Sequence, residues 1–182
     1  MSIIVEDGSQ VAGAESYVTV AFCDTYHANR NNSAWASIAT TALKEGYLRQ
    51  AAAYIETIYR GKWKGVRVTA TQSMDWPRWG CEITDVVLGQ IAFYVPATQI
   101  PLQLQNAQAE LALYAALGNP STAGGSLNPN LNQNVISKDV GPIKIVYDQF
   151  SSQSPRYPMV DGYLKIFMQE GVGAGTLRLS RT

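Results

Sequence analysis

Cys23 and His27 are the residues of this chain whose types and spacing could perform catalysis, since they lie four positions apart in a segment predicted to be helical. On one helix face, that spacing places two metal ligands together, or a nucleophile beside its base. His27 is the only histidine, and no third ligand or orienting carboxylate recurs at motif spacing. We therefore favour burial of both side chains on a core face, and predict no catalytic residue, no cofactor and no metal site.

A second candidate site is the segment 59–80, called here the basic loop. It carries five of the fourteen basic residues and three of the four tryptophans, but only one acidic residue. The residues predicted to contact a partner or DNA are Arg60, Lys62, Trp63, Lys64, Arg67 and Arg78. Trp and Arg are the types that dominate protein interfaces, whereas lysines with a stacking Trp suit single-stranded nucleic acid. A third possibility is structural, with the tryptophans filling the core and the lysines solvated.

Charge favours the protein-contact interpretation. Fourteen Lys and Arg balance fourteen Asp and Glu, and only 15% of residues are charged, against about 25% in typical soluble domains. A neutral monomer is a poor stand-alone DNA binder, because attraction to phosphates supplies most non-specific affinity. Since the basic loop and the more acidic segments 1–30 and 81–150 are separated along the chain, contact between subunits is expected.

Cellular location and membrane contact are predicted from what the chain lacks. Its two cysteines form no disulfide framework, and the N-terminus has neither a basic region nor a long apolar run. No segment reaches the roughly twenty apolar residues that span a bilayer. A single domain in a reducing compartment, without membrane contact, is therefore expected.

Hydrophobic periodicity predicts a mainly α fold, a bundle of about four helices with a small two-stranded β element and extended N- and C-terminal arms. Two helices are predicted in the first part of the chain, one capped by Ser16 or Thr19 and ending near 29, the other opened by Thr40 or Thr41 and ending near 59. The other predicted elements are an arm at 1–15, helices at 101–117 and 159–170, a helical turn at 33–39, strands at 135–140 and 143–147, a flexible loop at 118–134 and a C-terminal arm at 171–182. Residues 83–95 are predicted to be helical or irregular. The apolar stripe that the long helix is expected to bury consists of Leu43, Tyr47, Ala51, Tyr54 or Ile55, and Ile58. The next helix is expected to bury Leu104, Ala107, Leu111 and Tyr114, with Gln108 facing outward.

The last residues predict a docking arm. A flexible run of alternating glycines at 171–175 precedes a segment in which apolar and basic side chains alternate. Such a segment docks in an extended form, with Leu177 and Leu179 in pockets and Arg178 and Arg181 against carboxylates. A frayed terminus is the alternative.

The order of motifs carries a family resemblance. Tyr17-Val18 is followed by a helix, then by Arg60-Gly61, by Gln72-x3-Trp76-Pro77-Arg78, and by a helix led by Pro101. In this order the chain resembles the head-tail connector, or adaptor, proteins of tailed bacteriophages, small proteins of the DnaT-like or head-completion kind. The resemblance covers most of the chain, although none of its motifs is diagnostic alone.

The resemblance implies a structural virion protein rather than an enzyme. Its copies would form a homo-oligomeric, dodecameric ring that joins the capsid portal protein to tail or neck proteins. Packaged double-stranded DNA would pass through the channel without sequence readout, with the C-terminal arm docked on the portal. The implied location is the head-tail junction of the virion, after assembly in the host cytoplasm. The alternative is a single-stranded-DNA-binding replication accessory protein, and a weaker one is a small enzyme using Cys23 and His27.

Overall fold

The computed structural model describes residues 2–88, 91–118, 127, 137–140, 143–146 and 157–169. Within these ranges the chain forms five α-helices and six short strands. The helices are α1 (Val20–Ala28), α2 (Ser33–Ala36), α3 (Thr41–Ile58), α4 (Leu102–Leu117) and α5 (Pro158–Leu164). The strands are β1 (Val66–Arg67), β2 (Arg78–Trp79), β3 (Glu82–Leu88), β4 (Ile91–Tyr94), β5 (Ser137–Val140) and β6 (Ile143–Val146). None of the helices in these ranges is both long and apolar enough to cross a membrane.

Threonine hydroxyls determine where the first and third helices begin. The Thr19 hydroxyl accepts a hydrogen bond from the Phe22 amide at 3.1 Å, and the Thr40 hydroxyl accepts one from the Leu43 amide at 3.2 Å. Each bond satisfies one of the backbone donors that a helix N-terminus leaves unpaired. The sequence left Ser16 or Thr19 open for the first cap and Thr40 or Thr41 for the second, and the structure selects Thr19 and Thr40.

The core lies where α4 packs between α3 and α5. Helix α3 buries Leu48, Ala51, Ala52 and Ile55, but Leu43 remains 48% exposed. The predicted stripe is therefore corrected at its N-terminal end. Two stripes on α3 have helical periodicity, and the packing of α4 selects the one that contains Leu48 and Ala52.

Helix α4 follows Pro101 and ends at Gly118, which has a φ of 76°. Burial of Leu104, Ala107 and Leu111 is confirmed, whereas Tyr114 is 38% exposed. Gln108 was predicted to face outward and is instead fully buried. A buried amide is tolerated there because each of its hydrogen-bonding atoms has a partner.

All strand pairs are antiparallel: β1 with β2, β3 with β4, and β5 with β6. The predicted pairing of the last two strands is confirmed. The β3–β4 hairpin was not predicted, because its register shifts between Ile83 and Val87 and breaks the alternation that identifies a strand. The single predicted β element is therefore corrected to three.

The N-terminal residues pack on the domain, in contrast to the extended arm that their composition predicts. Val5 forms a parallel bridge with Ser16, and the buried Glu6 carboxylate accepts the amides of Gly8 and Gln10 at 2.8 and 2.9 Å. Gly8 has a φ of 106° and lies against the Thr98 carbonyl. A buried carboxylate that binds local amides thus closes this segment into a loop.

Helix α5 continues as a 3-10 turn at Lys165–Phe167, so the last predicted helix is confirmed but is shorter than expected. Most of the predicted loop at 118–134 and the whole arm at 171–182 lie outside the described residues. The predictions for Leu177, Arg178, Leu179 and Arg181 therefore stay predictions.

Candidate nucleic-acid interface

The basic loop is anchored by an interior aromatic cluster. Trp63 and Trp76 are 1% and 0% exposed, with ring centroids 5.8 Å apart. Tyr59 packs on Trp63 at 5.8 Å, and Phe167 packs on Trp76 at 5.5 Å. Trp63 therefore lies in the core, where it has no surface on which a base could stack.

Arg78 holds the two sides of the basic loop together. Its guanidinium donates to the carbonyls of Lys64 at 2.9 Å, Gly65 at 2.8 Å and Asp75 at 3.2 Å. The side chain is 7% exposed, and burial lowers its pKa. A planar guanidinium suits this task because its donors point in fixed directions towards several carbonyls.

Gln72 and Arg67 organise the turn between β1 and β2. The Gln72 amide nitrogen donates to the carbonyls of Met74 at 2.8 Å and Pro77 at 3.0 Å, and its oxygen accepts the Thr69 amide at 2.9 Å. Arg67 donates to the Gln72 carbonyl. The Gln72-x3-Trp76-Pro77-Arg78 motif thus has a structural role, since its residues hold this loop in its folded form.

A buried acidic network connects the basic loop to α3. Glu56 accepts a hydrogen bond from the Tyr17 hydroxyl, and its second oxygen accepts the Asp75 amide at 2.8 Å. The Asp75 carboxylate accepts Trp63 Nε1 at 3.3 Å and lies 3.5 Å from Arg60 Nε. Burial, helped by the negative charge of Asp75, raises the pKa of Glu56 to about 7.

The cations that remain near solvent lie along one edge of the basic loop. The Arg60 side chain is 63% exposed despite its contact with Asp75. Lys62 is half-buried, with Nζ 5.2 Å from the centre of the Tyr59 ring. Lys64 Nζ donates to the Ile166 carbonyl at 2.8 Å, and Lys165 beside it is exposed. The Gln169 amide donates to the Lys62 carbonyl at 2.8 Å, which places these lysines against the end of α5.

Trp79 is an exposed aromatic residue of the basic loop, and its backbone lies against Gly65, the residue after Lys64. It is 68% exposed and lies opposite Val66, which is 62% exposed, in the β1–β2 pair. Directly opposed residues of an antiparallel pair project to the same side. Tyr94, 54% exposed, opposes Glu82, whose carbonyl is 3.3 Å from Lys64 Nζ.

We call this surface the Trp79 face. Its members are Lys62, Lys64, Val66, Trp79, Tyr94 and Lys165. It combines aromatic rings, which stack on bases, with ammonium groups, which attract phosphates. Glu82 and Asp85 are also exposed on β3 and reduce its positive charge. The arrangement suits weak, sequence-independent contact with a single strand rather than tight binding.

The structure separates the six predicted contact residues. Arg60, Lys62 and Lys64 lie at or near the surface, whereas Trp63 and Arg78 are buried and Arg67 binds within the loop. Trp79, Tyr94 and Lys165 were not among the predicted contacts. Burial decides which of three neighbouring tryptophans is exposed, and no periodicity in this loop indicates it.

Cys23 and His27 are both buried on α1, as predicted. Burial raises the pKa of the Cys23 thiol to about 12, with a further increase from Asp24, so the thiol stays protonated at neutral pH. Burial also raises the pKa of Cys81. No group of three His, Cys, Asp or Glu side chains in the described parts of the chain could hold a metal ion.

The comparison with protein families gives a match along the entire chain. The model of the family described as "Putative DnaT-like ssDNA binding protein" matches residues 1–182. No curated protein matches the chain. No solved structure matches it either.

This match corrects the connector interpretation. The DnaT-like part of the predicted resemblance is confirmed, and the family description names single-stranded-DNA binding, which was the alternative. Nothing in the comparisons supports a ring, a portal, tail or neck partner, or a duplex passing through a channel. The location in the virion was inferred from the same resemblance and stays an untested prediction.

Proposed function

The chain belongs to the DnaT-like single-stranded-DNA-binding family, and we propose that it binds single-stranded DNA through the Trp79 face as a replication accessory protein. The proposed activity is binding alone, without catalysis. The observation that carries the proposal is the exposure of Trp79 on a loop that Arg78 holds rigid and that also carries basic residues near solvent.

The position of Trp79 in the basic loop supports its proposed role in binding. Arg78, the preceding residue, is held by three backbone carbonyls, so the strand that carries Trp79 is fixed while its ring remains free. A fixed backbone reduces the conformational entropy that is lost when a base stacks on the ring. Tyr94 supplies a second exposed ring next to the Lys64 contact.

The charges of the face determine the expected strength of binding. Because Arg60, Lys62 and Lys165 lie near solvent, the chain offers about three phosphate contacts. The logarithm of affinity should therefore fall against the logarithm of salt concentration with a slope of roughly −2, since each contact on a single strand contributes about −0.7. Weak binding at physiological salt and little preference for sequence are expected.

The test is a Trp79→Ala variant in a fluorescence anisotropy titration with a labelled single strand of about 20 nucleotides. Loss of one stacked base should weaken binding roughly 5- to 100-fold. Trp79→Phe should retain most of the affinity because it keeps an aromatic face. Leu102→Ala, which truncates a 57% exposed apolar side chain at the start of α4, is the matched control and should bind normally.

Two results would overturn the proposal. One is equal affinity of the wild type and Trp79→Ala. The other is an equal preference for duplex and single strand, since stacking requires unpaired bases. Circular dichroism and thermal melting of each variant verify that the fold is unchanged.

A further inference from the structure

The β3–β4 hairpin is a sheet whose two faces are both open to solvent. Among the described strands, β3 pairs with β4 alone. Ala92, Phe93 and Tyr94 are all exposed on β4, and successive residues of a strand point to opposite faces. Because a two-stranded sheet is only marginally stable by itself, a further segment packed on this hairpin would stabilise it.

The exposed side chains of the hairpin are apolar or acidic. Tyr94 is 54% exposed, Val86 46% and Phe93 38%. Glu82 opposes Tyr94 in the register, so the two project to the same side. Glu82 and Asp85 are exposed, and neither forms an ion pair with another described residue. We call these five residues the hairpin surface, and it suits a segment that carries apolar and cationic side chains.

The C-terminal residues of the same chain start beside the basic loop. Met168 forms an antiparallel bridge with Trp63, and the Lys64 amide donates to the Phe167 carbonyl at 2.8 Å. The Gln169 side-chain amide donates to the Trp63 carbonyl at 2.9 Å. Gln169, the last described residue, is therefore held at a defined place.

That place is close to β3. Lys64 Nζ donates to the carbonyls of Ile166 at 2.8 Å and Glu82 at 3.3 Å, so a single ammonium group bridges the turn before Gln169 and the start of β3. Leu177 follows Gln169 by eight residues, which span up to roughly 26 Å when extended. The seven residues of β3 span about 23 Å. The C-terminal residues can therefore reach the whole hairpin surface, and the glycines at 171, 173 and 175 allow a reversal of direction.

The composition of residues 176–182 complements that of the hairpin. The segment contains two leucines and two arginines but no acidic residue, whereas residues 82–94 contain two acidic residues and no Lys or Arg. Leu177 and Leu179 alternate with polar residues, the pattern of a segment that adds to a sheet in extended form.

We propose that residues 176–182 dock on the hairpin surface of the same chain, with Leu177 and Leu179 against its apolar side chains and the arginines near its carboxylates. The docked segment covers Tyr94, which also belongs to the Trp79 face, and so it competes with single-stranded DNA. The docking goes beyond the proposed function, whereas the competition rests on it. A segment docked for roughly 70–90% of the time would weaken apparent DNA affinity about 3- to 10-fold.

Paramagnetic relaxation NMR of the full chain, without DNA, tests the docking. A nitroxide is attached through Thr182→Cys, since Cys23 and Cys81 are both buried. The amide signals of Asp85 and Ala92 should broaden more strongly than that of Gly61, which lies near the exit of the segment. A segment that only samples the space around Gln169 would broaden Gly61 at least as strongly.

Two comparisons establish what causes the broadening. Leu177→Ser/Leu179→Ser in the labelled chain should abolish the preference for the hairpin, and Thr176→Ser, in the same segment, is the matched control and should retain it. A mixture of nitrogen-15 chain without nitroxide and nitroxide-labelled chain without nitrogen-15 should show no broadening. Broadening confined to the mixture would place the contact between chains and overturn the proposal.

An anisotropy titration with a labelled single strand of about 20 nucleotides tests the competition. Leu177→Ser/Leu179→Ser keeps both arginines and should bind about 3- to 10-fold more tightly than wild type. The docking is overturned if the hairpin amides show no preferential broadening or if the serine variant retains it, and the competition is overturned if that variant binds the strand no more tightly than Thr176→Ser. A Trp79→Ala protein with normal strand affinity would overturn the proposed function and leave the broadening unchanged, so the two proposals fail separately.

Discussion

Glu56 is a half-buried carboxyl whose two oxygens both accept hydrogen bonds, from Tyr17 and from the Asp75 amide. Asp75 lies on one side of it and opposes its ionisation, whereas the positive charge of Arg60 favours ionisation. Burial outweighs Arg60, so the proton is held more tightly in the folded state than in the unfolded chain.

The stability of the protein should depend on this proton. The pKa of Glu56 rises from 4.5 to about 7 on folding. Between those values the folded state binds one more proton than the unfolded state, so this group's contribution to stability is present below pH 4.5 and is lost as pH rises towards 7. One pKa unit corresponds to about 1.4 kcal/mol, and the expected loss is about 2–3 kcal/mol.

Glu56→Gln removes the titration and keeps a similar shape. Between pH 5 and pH 8 the wild type should therefore lose about 2–3 kcal/mol more unfolding free energy than the variant does. Urea unfolding at each pH measures it. Glu82→Gln, at an exposed position on β3, should show no such shift. Parallel pH profiles for all three proteins would contradict the assignment.

At this scale, residue types did not predict which side chains of the basic loop are buried. Arg60, Lys62 and Lys64 were correctly placed near the surface, but Trp63 and Arg78, chosen for the same reasons, fill the interior. Arg78 is buried because three carbonyls of the folded loop accept from it, and these exist as a group only after β1 and β2 meet. The sequence shows which side chains can donate hydrogen bonds. It does not show which backbone carbonyls the fold will bring within their reach.

Among the elements, the β1–β2 pair places Trp79 and depends on one glycine. Gly65 has a φ of 65°, and an added Cβ would lie 2.2 Å from the Trp79 carbonyl oxygen and 2.9 Å from the Cys81 nitrogen. Both of these atoms are backbone, so no side-chain rotation relieves the contact. The strands approach this closely because Gly65 lacks a side chain.

Gly65→Ala should therefore separate the strands and displace Trp79. We expect a loss of at least about 3 kcal/mol in unfolding free energy, the sum of overpacking and backbone strain. Gly80→Ala distinguishes the two causes, since Gly80 has a φ of 72° but open space around it, and should cost about 1 kcal/mol. Gly61→Ala, at an open position without a positive φ, should be nearly neutral. Equal melting temperatures for the Gly65 and Gly61 variants would show that the strands tolerate the added methyl group.

Helices were predictable here and the hairpin was not. Thr19, Thr40, Pro101 and Gly118 mark helix ends through local chemistry that operates within a few residues. The β3–β4 pair depends on a register with a bulge, which no single strand encodes. The Trp79 face combines β2 with β4 and the end of α5, and for that reason its full membership could not be predicted.

At the scale of the molecule, α4 is the central element, in contact with α1, α2, α3 and α5. Its buried face is rich in alanine, which allows neighbouring backbones to approach closely. A helix surrounded in this way has little room for a polar side chain. Gln108 is fully buried there because it connects three parts of the chain that are far apart in sequence.

Gln108 joins the N-terminal segment to α3 and α4. Its oxygen accepts the Tyr17 amide at 2.8 Å, and its nitrogen donates to the Ser16 hydroxyl at 2.8 Å and the Leu48 carbonyl at 3.0 Å. Gln108→Met fills a similar volume but leaves the Tyr17 amide buried without its acceptor. We expect a loss of about 2–4 kcal/mol in unfolding free energy, and faster hydrogen exchange at the Tyr17 amide than at amides within α4.

Gln103→Met is the matched control for this prediction, since Gln103 lies on the exposed side of the same helix and should change stability by less than about 0.5 kcal/mol. Similar losses for the two variants would indicate a general effect of methionine on α4. If Gln108→Met were destabilised but its Tyr17 amide stayed protected from hydrogen exchange, the lost unfolding free energy would not come from the hydrogen bond between Gln108 and the N-terminal segment. Selective exposure of the Tyr17 amide is expected, because its hydrogen bond is made to the Gln108 side chain, whereas the amides within α4 bond to their own helix.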